Sequence, residues 1–272
     1  MKKHYVYWIM LFATCLLMVT PALAQEASSI PQVTIQATSE GLVVPEEMPG
    51  GIVQITVENN SEAIVGSVFA RLNEGVSFED FGAAMNAGDE GALGLIAFHG
   101  VMEVAPGAAR TATLDLMPGE YILLNWPGEI PEEVIPFTVA DAGGEAPPVP
   151  EADVEVTMID FAYTVPIEIP AGPQRWHIQN RGTHLHDMLV LPLDDNMSAG
   201  AFNELLQRAL SGDDEGVPEE VAFWVASPGT QGWIAIDLEP GTYALICTLP
   251  DMSGSGRFHA DLGMRQTIIV TE

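Results

Sequence analysis

The sequence predicts an all-β protein made of two tandem Greek-key β-sandwiches, each with one short helix. Short runs rich in β-branched and apolar residues recur along the chain, for example at 154–158, 176–179 and 267–270, with Pro, Gly and Asn between them. Several short strands at regular spacing are typical of a sandwich or barrel. The predicted helices begin near Ser77 and Ser198, and Gly212 marks the end of the second.

A repeated unit is the second observation that predicts this fold. The stretch LDLMPGEY at 114–121 recurs as IDLEPGTY at 236–243, and VEN at 57–59 recurs as IQN at 178–180. The pairs SFEDF at 77–81 with SAGAF at 198–202, and PG at 106–107 with PG at 228–229, share the same offset of 121 or 122 residues. Ordered matches at one offset indicate an internal duplication.

The boundaries of the two units follow from composition. The segment DAGGEAPPVPEAD at 141–153 is rich in Pro, Gly and acidic residues and has no periodic apolar pattern, so we expect a linker there. This predicts one domain at 25–140 and a second at 154–272.

The first 24 residues predict an exported protein. Lys2 and Lys3 precede an apolar run at 5–19, and Ala22-Leu23-Ala24 has the small-x-small pattern of a signal-peptidase site. A transmembrane anchor is the alternative, but the run is short for a spanning helix. We therefore expect a signal peptide at 1–24 and a periplasmic or extracellular mature protein without a stable membrane span.

Charge limits the choice of partner. Both lysines lie in the predicted signal, so the mature chain would keep seven of the nine basic residues against 38 acidic ones, a formal charge of −31. Nucleic acids and anionic membrane surfaces need a basic patch, and this composition excludes them as partners. A solvated acidic surface is the simplest explanation, and a cationic partner protein is compatible with it.

Four residues of the second unit form a pattern of metal ligands. Of the two cysteines, Cys15 lies in the predicted signal, so Cys247 would be the only one left, unable to form an internal disulfide. Eleven residues separate it from His259, and Met264 follows shortly before the last strand. His186 stands far upstream, after an Asn- and Gly-containing turn. Two imidazoles, a thiolate and a weak thioether form the ligand set of a blue-copper site.

These motifs resemble the cupredoxins, the secreted blue-copper proteins that include plastocyanin, azurin and auracyanin. The approach PGTYALIC at 240–247, the late Cys, His and Met, and the upstream His carry the resemblance over about 120 residues of the second unit. It implies a cupredoxin-like fold and one type 1 copper, with His186, Cys247 and His259 as equatorial ligands and Met264 as the axial one. The long Cys–His gap and Asp187, where compact carriers usually have Asn, depart from the family pattern.

Other histidines and methionines of the chain could also be metal ligands. His184 is the alternative first ligand, although an aliphatic strand begins directly after His186. His177 alternates between apolar neighbours and is expected to face another side of its strand, whereas Met188 and Met252 are expected to pack. In the first unit Val65 and Asn125 stand where His186 and Cys247 stand in the second. We therefore expect the first domain to bind no thiolate-ligated copper and to serve as a spacer, cover or docking surface.

Electron transfer to a redox partner protein is the function that this resemblance implies. An electron would leave through the edge of His259, the ligand nearest solvent in cupredoxins, with Pro250, Phe258 and Leu262 as an apolar rim. We expect no enzyme, since copper oxidases and nitrite reductases flank the ligand Cys with His, whereas Ile246 and Thr248 stand here. A copper-binding or metal-free interaction module is the alternative. The sequence does not indicate an oligomeric state.

Overall fold

The computed structural model describes residues 29–272 except 89, 90, 129, 130, 144, 145, 195, 196, 198, 214 and 254. The predicted signal peptide at 1–24 and the predicted helix cap Ser198 lie outside the described residues. Within that part of the chain, no helix is long and apolar enough to cross a membrane.

The described residues of the first half of the chain form nine strands, one α-helix and one short 3-10 helix at Ala92–Leu95. The strands are β1 (Gln32–Thr38), β2 (Gly41–Val43), β3 (Glu47–Met48), β4 (Gly51–Asn59), β5 (Val65–Leu72), β6 (Ile96–Val104), β7 (Ala109–Leu116), β8 (Gly119–Asn125) and β9 (Glu133–Val139), and the helix is α1 (Phe78–Asn86). A capping box begins α1, because the Ser77 side chain accepts from the Asp80 N–H and the Asp80 carboxylate accepts from the Ser77 N–H.

The second half repeats this plan, and the part of it that the structure describes contains nine strands and two helices. The strands are β10 (Val154–Ile159), β11 (Ala162–Thr164), β12 (Glu168–Pro170), β13 (Gly172–Asn180), β14 (His186–Leu193), β15 (Ala222–Ala226), β16 (Gln231–Leu238), β17 (Gly241–Ile246) and β18 (Arg265–Thr271), with helices α2 (Ala199–Leu210) and α3 (His259–Leu262). The predicted stop of α2 is confirmed, since Gly212 has a φ of 91° and its N–H bonds the Ala209 carbonyl.

Three sheets arrange these strands into two sandwiches. Each half has its own five-stranded sheet, in the order β3-β9-β8-β5-β6 in the first half and β12-β18-β17-β14-β15 in the second. The remaining eight strands form one shared sheet, β11-β10-β13-β16-β7-β4-β1-β2, which backs both of them. The predicted all-β fold of two sandwiches is confirmed. The described residues between Val139 and Val154 form neither strand nor helix, and the exact domain boundaries stay a prediction.

The two halves meet edge to edge in the shared sheet. Strands β7 and β16 are equivalent in the repeat and pair antiparallel, and Ala112 lies opposite Ile234, its own counterpart 122 residues later. Equivalent residues face each other in this way across the two-fold axis of a symmetric dimer. The second half therefore contacts the first as one copy of a subunit contacts another.

A buried tryptophan fills the junction behind this pair of strands. Trp224 in β15 is fully buried. A Cβ atom added to Gly100 or to Gly232 would lie 2.4 Å from its ring, so glycine at both positions lets the indole approach the backbone of both halves closely. Beside it, the Phe98 N–H donates to the Ser227 hydroxyl (2.8 Å) and the Ser227 N–H donates to the Phe98 carbonyl (2.9 Å).

One side-chain lock recurs in both halves and supports the duplication. Asn180 is buried at the end of β13, where its amide donates to the carbonyls of His184 (2.8 Å) and Ala226 (2.7 Å) and its oxygen accepts from Gly182 N–H (2.8 Å). Asn59 makes the same three bonds at 2.8 to 2.9 Å in the first half. A buried amide with this many partners fixes the loop ahead of β14.

Replacing Gly232 by Ala should weaken the junction. The new methyl group would overlap the Trp224 ring, which cannot move in its packed surroundings, so we expect the free energy of unfolding to fall by about 1–3 kcal/mol. Chemical denaturation monitored by tryptophan fluorescence would measure this. Gly82→Ala is the control, since nothing lies within 4 Å of its added Cβ and it stands in α1; a Gly232→Ala protein as stable as this control would contradict the argument.

Candidate metal centre

Three of the predicted ligands come together at one end of the second sandwich. His186 is the first residue of β14, Cys247 directly follows β17, and His259 begins α3. Strands β14 and β17 are neighbours, with Leu189 opposite Ile246, so their ends bring His186 and Cys247 to the same edge of the sheet. All three side chains are at least 98% buried.

The donor atoms of these residues surround a single point. The His186 and His259 Nδ1 atoms lie 3.1 Å apart, and the Cys247 Sγ atom lies 3.3 Å from His259 Nδ1 and 3.9 Å from His186 Nδ1. A point equidistant from the three atoms is about 2.0 Å from each, close to metal–nitrogen and metal–sulfur bond lengths of about 2.0–2.3 Å. One metal ion therefore fits between them. No other cluster of this kind is found among the described residues.

The chemistry of these donors fits a copper ion. Two imidazole nitrogens and one thiolate in a plane, near a methionine, suit copper that alternates between two oxidation states. Carboxylate-binding ions such as Mg²⁺ and Ca²⁺ prefer oxygen ligands, which are not among these three donors.

Met264 lies next to the three ligands, but its thioether is not one of the three donor atoms whose separations are given above. It is fully buried in the same apolar cluster as Cys247. Its carbonyl accepts from the Cys247 N–H (3.1 Å), and its N–H donates to the His259 carbonyl (2.9 Å). These bonds hold the residue beside both ligands, and the axial role stays a prediction.

Asp187 ties the cysteine loop to β14. Its carboxylate accepts from the Thr248 N–H (2.7 Å) and from the Thr248 hydroxyl (2.6 Å), although the residue is only 2% exposed. Burial raises the pKa of Asp187, while the Thr248 hydrogen bonds act in the opposite direction. The residue that departs from the usual asparagine thus still anchors the loop that carries the thiolate.

Burial also shifts the pKa values of the ligands. It raises the pKa of the Cys247 thiol well above its ordinary range, with a further contribution from Asp187. It lowers the pKa of His186 to about 4 and lowers the pKa of His259. Near neutral pH the imidazoles are therefore neutral and ready to bind a cation, whereas the thiol must lose a proton when a metal enters.

The ring edge of His259 is covered, contrary to the expectation that it reaches solvent. The residue is 2% exposed, and its Nε2 atom is buried without a hydrogen-bond partner. Phe161 contacts the ring edge-to-face with centroids 5.0 Å apart, and His184 does so at 6.1 Å. Phe161 has a φ of 63°, an unusual backbone conformation for a bulky residue, which the tight turn between β10 and β11 imposes.

Asp160 precedes Phe161 in the same turn, and no sequence pattern indicated that it contributes to the site. Its Oδ1 atom lies 3.2 Å from His186 Nε2, on the side of the ring away from the other ligands. Burial acts to raise the pKa of Asp160, but hydrogen bonds from Thr183, His184 and His186 outweigh it and lower the pKa. An aspartate in a turn carries no motif, and only a residue-by-residue comparison of the two repeats could have drawn attention to it.

The remaining candidates lie outside the triangle. The His184 side chain is 42% exposed and its Nδ1 atom contacts Asp160 instead. His177 stacks on Trp233 and bonds Glu155, and His99 is buried against Tyr121. The expectation that Met252 packs is wrong, since it is 82% exposed in the loop after Pro250.

The first half lacks both the ligands and the loop that would carry them. Val65 begins β5 as His186 begins β14, and Asn125 ends β8 where Cys247 follows β17. In the first half Val139 of the last strand pairs with Gly119, and in the second half Val270 pairs with Gly241. The two glycines are 122 residues apart in the sequence, whereas the two valines are 131 residues apart. The loop of the first half is thus nine residues shorter, and its described residues form no helix that corresponds to α3.

A cleft opens between the two halves beside the ligands. It has a volume of about 840 Å³. Thr248, which follows Cys247 in the chain, lies in its wall together with Asp187 and Leu249. Phe98 and Trp126 line it from the first half. The residue after the thiolate thus faces a space that both halves enclose.

No protein-family model matches the chain, and the search of curated proteins finds no match. Among solved structures, a reduced auracyanin from the photosynthetic bacterium Roseiflexus castenholzii is 20% identical, with a TM-score of 0.32, over 43% of this chain and 95% of its own. A multicopper oxidase is 14% identical (TM-score 0.26) over 90% of this chain and 92% of its own. The copper-containing nitrite reductase from Thermus scotoductus SA-01 is 13% identical (TM-score 0.25) over 89% and 62%.

The predicted resemblance to the cupredoxins is confirmed at the level of the fold. The expectation that the protein is not an enzyme is corrected, because the matched structures that extend over both halves of the chain are those of a multicopper oxidase and a nitrite reductase.

Replacing Thr248 by Val should destabilise the fold around the site. The substitution keeps the shape of the side chain but removes the hydroxyl donor from the buried Asp187 carboxylate, so we expect a loss of about 1–3 kcal/mol in the free energy of unfolding. Thr248→Ser keeps the hydroxyl and should lose much less. Thermal or urea unfolding of the metal-free proteins would compare them, and equal stability of the two variants would contradict the anchoring role.

Proposed function

We propose that the protein is an exported blue-copper redox protein, with one type 1 copper held by His186, Cys247, His259 and Met264. The observation that carries the proposal is the triangle of two Nδ1 atoms and one Sγ atom with sides of 3.1, 3.3 and 3.9 Å. When bound there, copper supplies one-electron chemistry by alternating between Cu(I) and Cu(II).

The residues around the triangle keep the ligands in place during such a reaction. Backbone bonds join the segments that carry Cys247 and His259, since the Ala260 N–H donates to the Cys247 carbonyl (3.1 Å) and the His259 N–H donates to the Leu249 carbonyl (2.8 Å). Asp187 fixes the following residue, Thr248, to β14. Ligands held by a rigid frame rearrange little when the charge on a metal changes, which favours fast electron transfer.

An electron passing to a partner protein would leave the site through the two side chains that cover the His259 ring. The His259 ring lies beneath Phe161 and His184, and the His184 side chain is 42% exposed. A redox partner would dock against this cover and against the half-buried Phe258 and Leu262 nearby. The acidic surface of the chain would attract a cationic partner and speed its approach at low salt.

A copper oxidoreductase is the second candidate, and the cleft favours it. Thr248 is joined by one peptide bond to Cys247 and lines a space of about 840 Å³, large enough for a small organic substrate. Steady-state assays of the copper-loaded protein with phenolic reductants and oxygen, or with nitrite and a reductant, would distinguish the candidates. Many turnovers per copper would indicate an enzyme, and a single electron exchanged per copper would indicate a carrier.

Adding Cu(II) to the mature protein should produce an intense visible thiolate-to-copper absorption band and an EPR spectrum with narrow copper hyperfine splitting. Cys247→Ser should abolish both, because the hydroxyl group cannot replace the thiolate. Met188→Leu is a matched control, as Met188 is a buried methionine in β14 and is not a proposed ligand. A protein without the band, or a Cys247→Ser variant that keeps it, would overturn the proposal.

Met264→Leu should keep the colour and raise the reduction potential. Loss of the weak axial thioether leaves the three strong ligands in place but removes an electron donor that favours Cu(II). Redox titration of the visible band would measure the shift. An unchanged potential would show that Met264 is not a ligand, even if the rest of the site is correct.

A further inference from the structure

The carboxylate of Asp160 is held in place by several donors before it meets His186. Its oxygens accept from the Thr183 N–H (2.8 Å), the Thr183 hydroxyl (2.7 Å) and the His184 N–H (3.1 Å). His184 Nδ1 also lies 3.1 Å from Oδ1. The position of the carboxylate is therefore set by the turn and the facing loop, and the His186 ring is oriented against it.

His186 uses its two ring nitrogens on opposite sides. Nδ1 faces Cys247 and His259, whereas Nε2 lies 3.2 Å from the Asp160 carboxylate. An ionised carboxylate only accepts hydrogen bonds, so the proton of the neutral ring belongs on Nε2. The lone pair of Nδ1 is then free and directed at the metal position.

The absence of a side chain at Gly182 makes this contact possible. A Cβ atom at Gly182 would lie 2.4 Å from Asp160 Oδ1 and 3.1 Å from His186 Nε2. Gly182 does not have a positive φ, so its backbone conformation does not demand glycine. Close approach of the carboxylate to the imidazole is the requirement that explains glycine at this position.

The first half has lost all parts of this arrangement together. At the repeat offset of 121 residues, Ser39 stands in place of Asp160, Ser61 in place of Gly182 and Val65 in place of His186. The fold of the turn between the first two strands is kept without them, as β1 and β2 pair in the same way as β10 and β11. The Asp160 carboxylate is therefore not needed to form the turn.

We propose that Asp160 is a positioning residue that fixes His186 as the Nε2–H tautomer and, through this charged hydrogen bond, lowers the reduction potential of the copper site. The inference rests on the proposed copper function. A carboxylate that accepts from a ligating imidazole makes the ring a stronger electron donor, and stronger donation stabilises Cu(II) more than Cu(I).

Asp160→Asn provides the first test. Loss of a carboxylate partner of a ligating histidine typically reduces metal affinity by about 10–100-fold. If Cu(II) binding alone weakens about tenfold, the potential of the one-electron couple rises by about 59 mV. Asp251→Asn is the matched control: this aspartate influences His259 through its charge, yet bonds Ser253 and Ser255 rather than a ligand. Equal shifts in the two variants would overturn the proposal in favour of a simple charge effect.

Gly182→Ala tests the hydrogen bond between His186 and Asp160 without removing the negative charge of Asp160. It keeps the Asp160 carboxylate but forces it away from His186, so the potential should rise in the same direction as in Asp160→Asn. Asp160→Ser, which copies the first half, should fold normally and shift the potential likewise. An unchanged potential in Gly182→Ala and in Asp160→Ser would overturn the proposal.

The metal-free protein allows a test that does not depend on copper. Nitrogen-15 NMR of the imidazole rings should show His186 with its proton on Nε2 in the wild type, and a mixture of tautomers in Asp160→Ser. A wild-type ring protonated on Nδ1 would refute the positioning role. If copper gives no thiolate band but the tautomer is as expected, the proposed function fails and the role of Asp160 in orienting His186 stands.

Discussion

The structure depends on keeping three metal-binding atoms together in a dry interior. Two imidazole nitrogens and a sulfur lie within 3.9 Å of one another, with no water-exposed side chain among them. Burying these polar side chains costs free energy, and the Nε2 atom of His259 is buried without a hydrogen-bond partner. Such a cluster persists only if the surrounding backbone prevents the side chains from separating, and paired strands, the Asn180 lock and the Asp187–Thr248 bonds provide that restraint.

The first half contributes to this restraint although it carries no ligands. It covers the edge of β16 with β7 and provides Gly100, one of the two glycines that contact Trp224. Duplication followed by loss of the ligands and shortening of the loop explains why one half keeps the sandwich, the buried asparagine and the helix but not the metal chemistry. The cleft next to Thr248 exists only because both halves are present.

Sequence patterns predicted the fold well because strands can be recognised from neighbouring residues and the repeat from matching stretches 121 or 122 residues apart. They also indicated His186, Cys247 and His259, whose order and spacing resemble those of a known family. The cover over His259 and the role of Asp160 could not be predicted in this way. Both depend on a turn between β10 and β11 that is distant in sequence from the ligands and becomes adjacent to them only when β10 pairs with β13. The prediction that Met252 packs was wrong for a different reason: its apolar character suggested burial, but an apolar residue in a long loop need not reach the core.

The pairing of β7 with β16 also determines how the protein can be divided. A fragment that contains only the second half would carry every proposed ligand, yet it would expose the hydrogen-bonding edge of β16 and the apolar ring of Trp224 to water. Exposed strand edges of this kind promote association with other chains. Shortened versions of the protein are therefore expected to aggregate or to form new dimers, and the redox properties measured on them would be those of a different assembly.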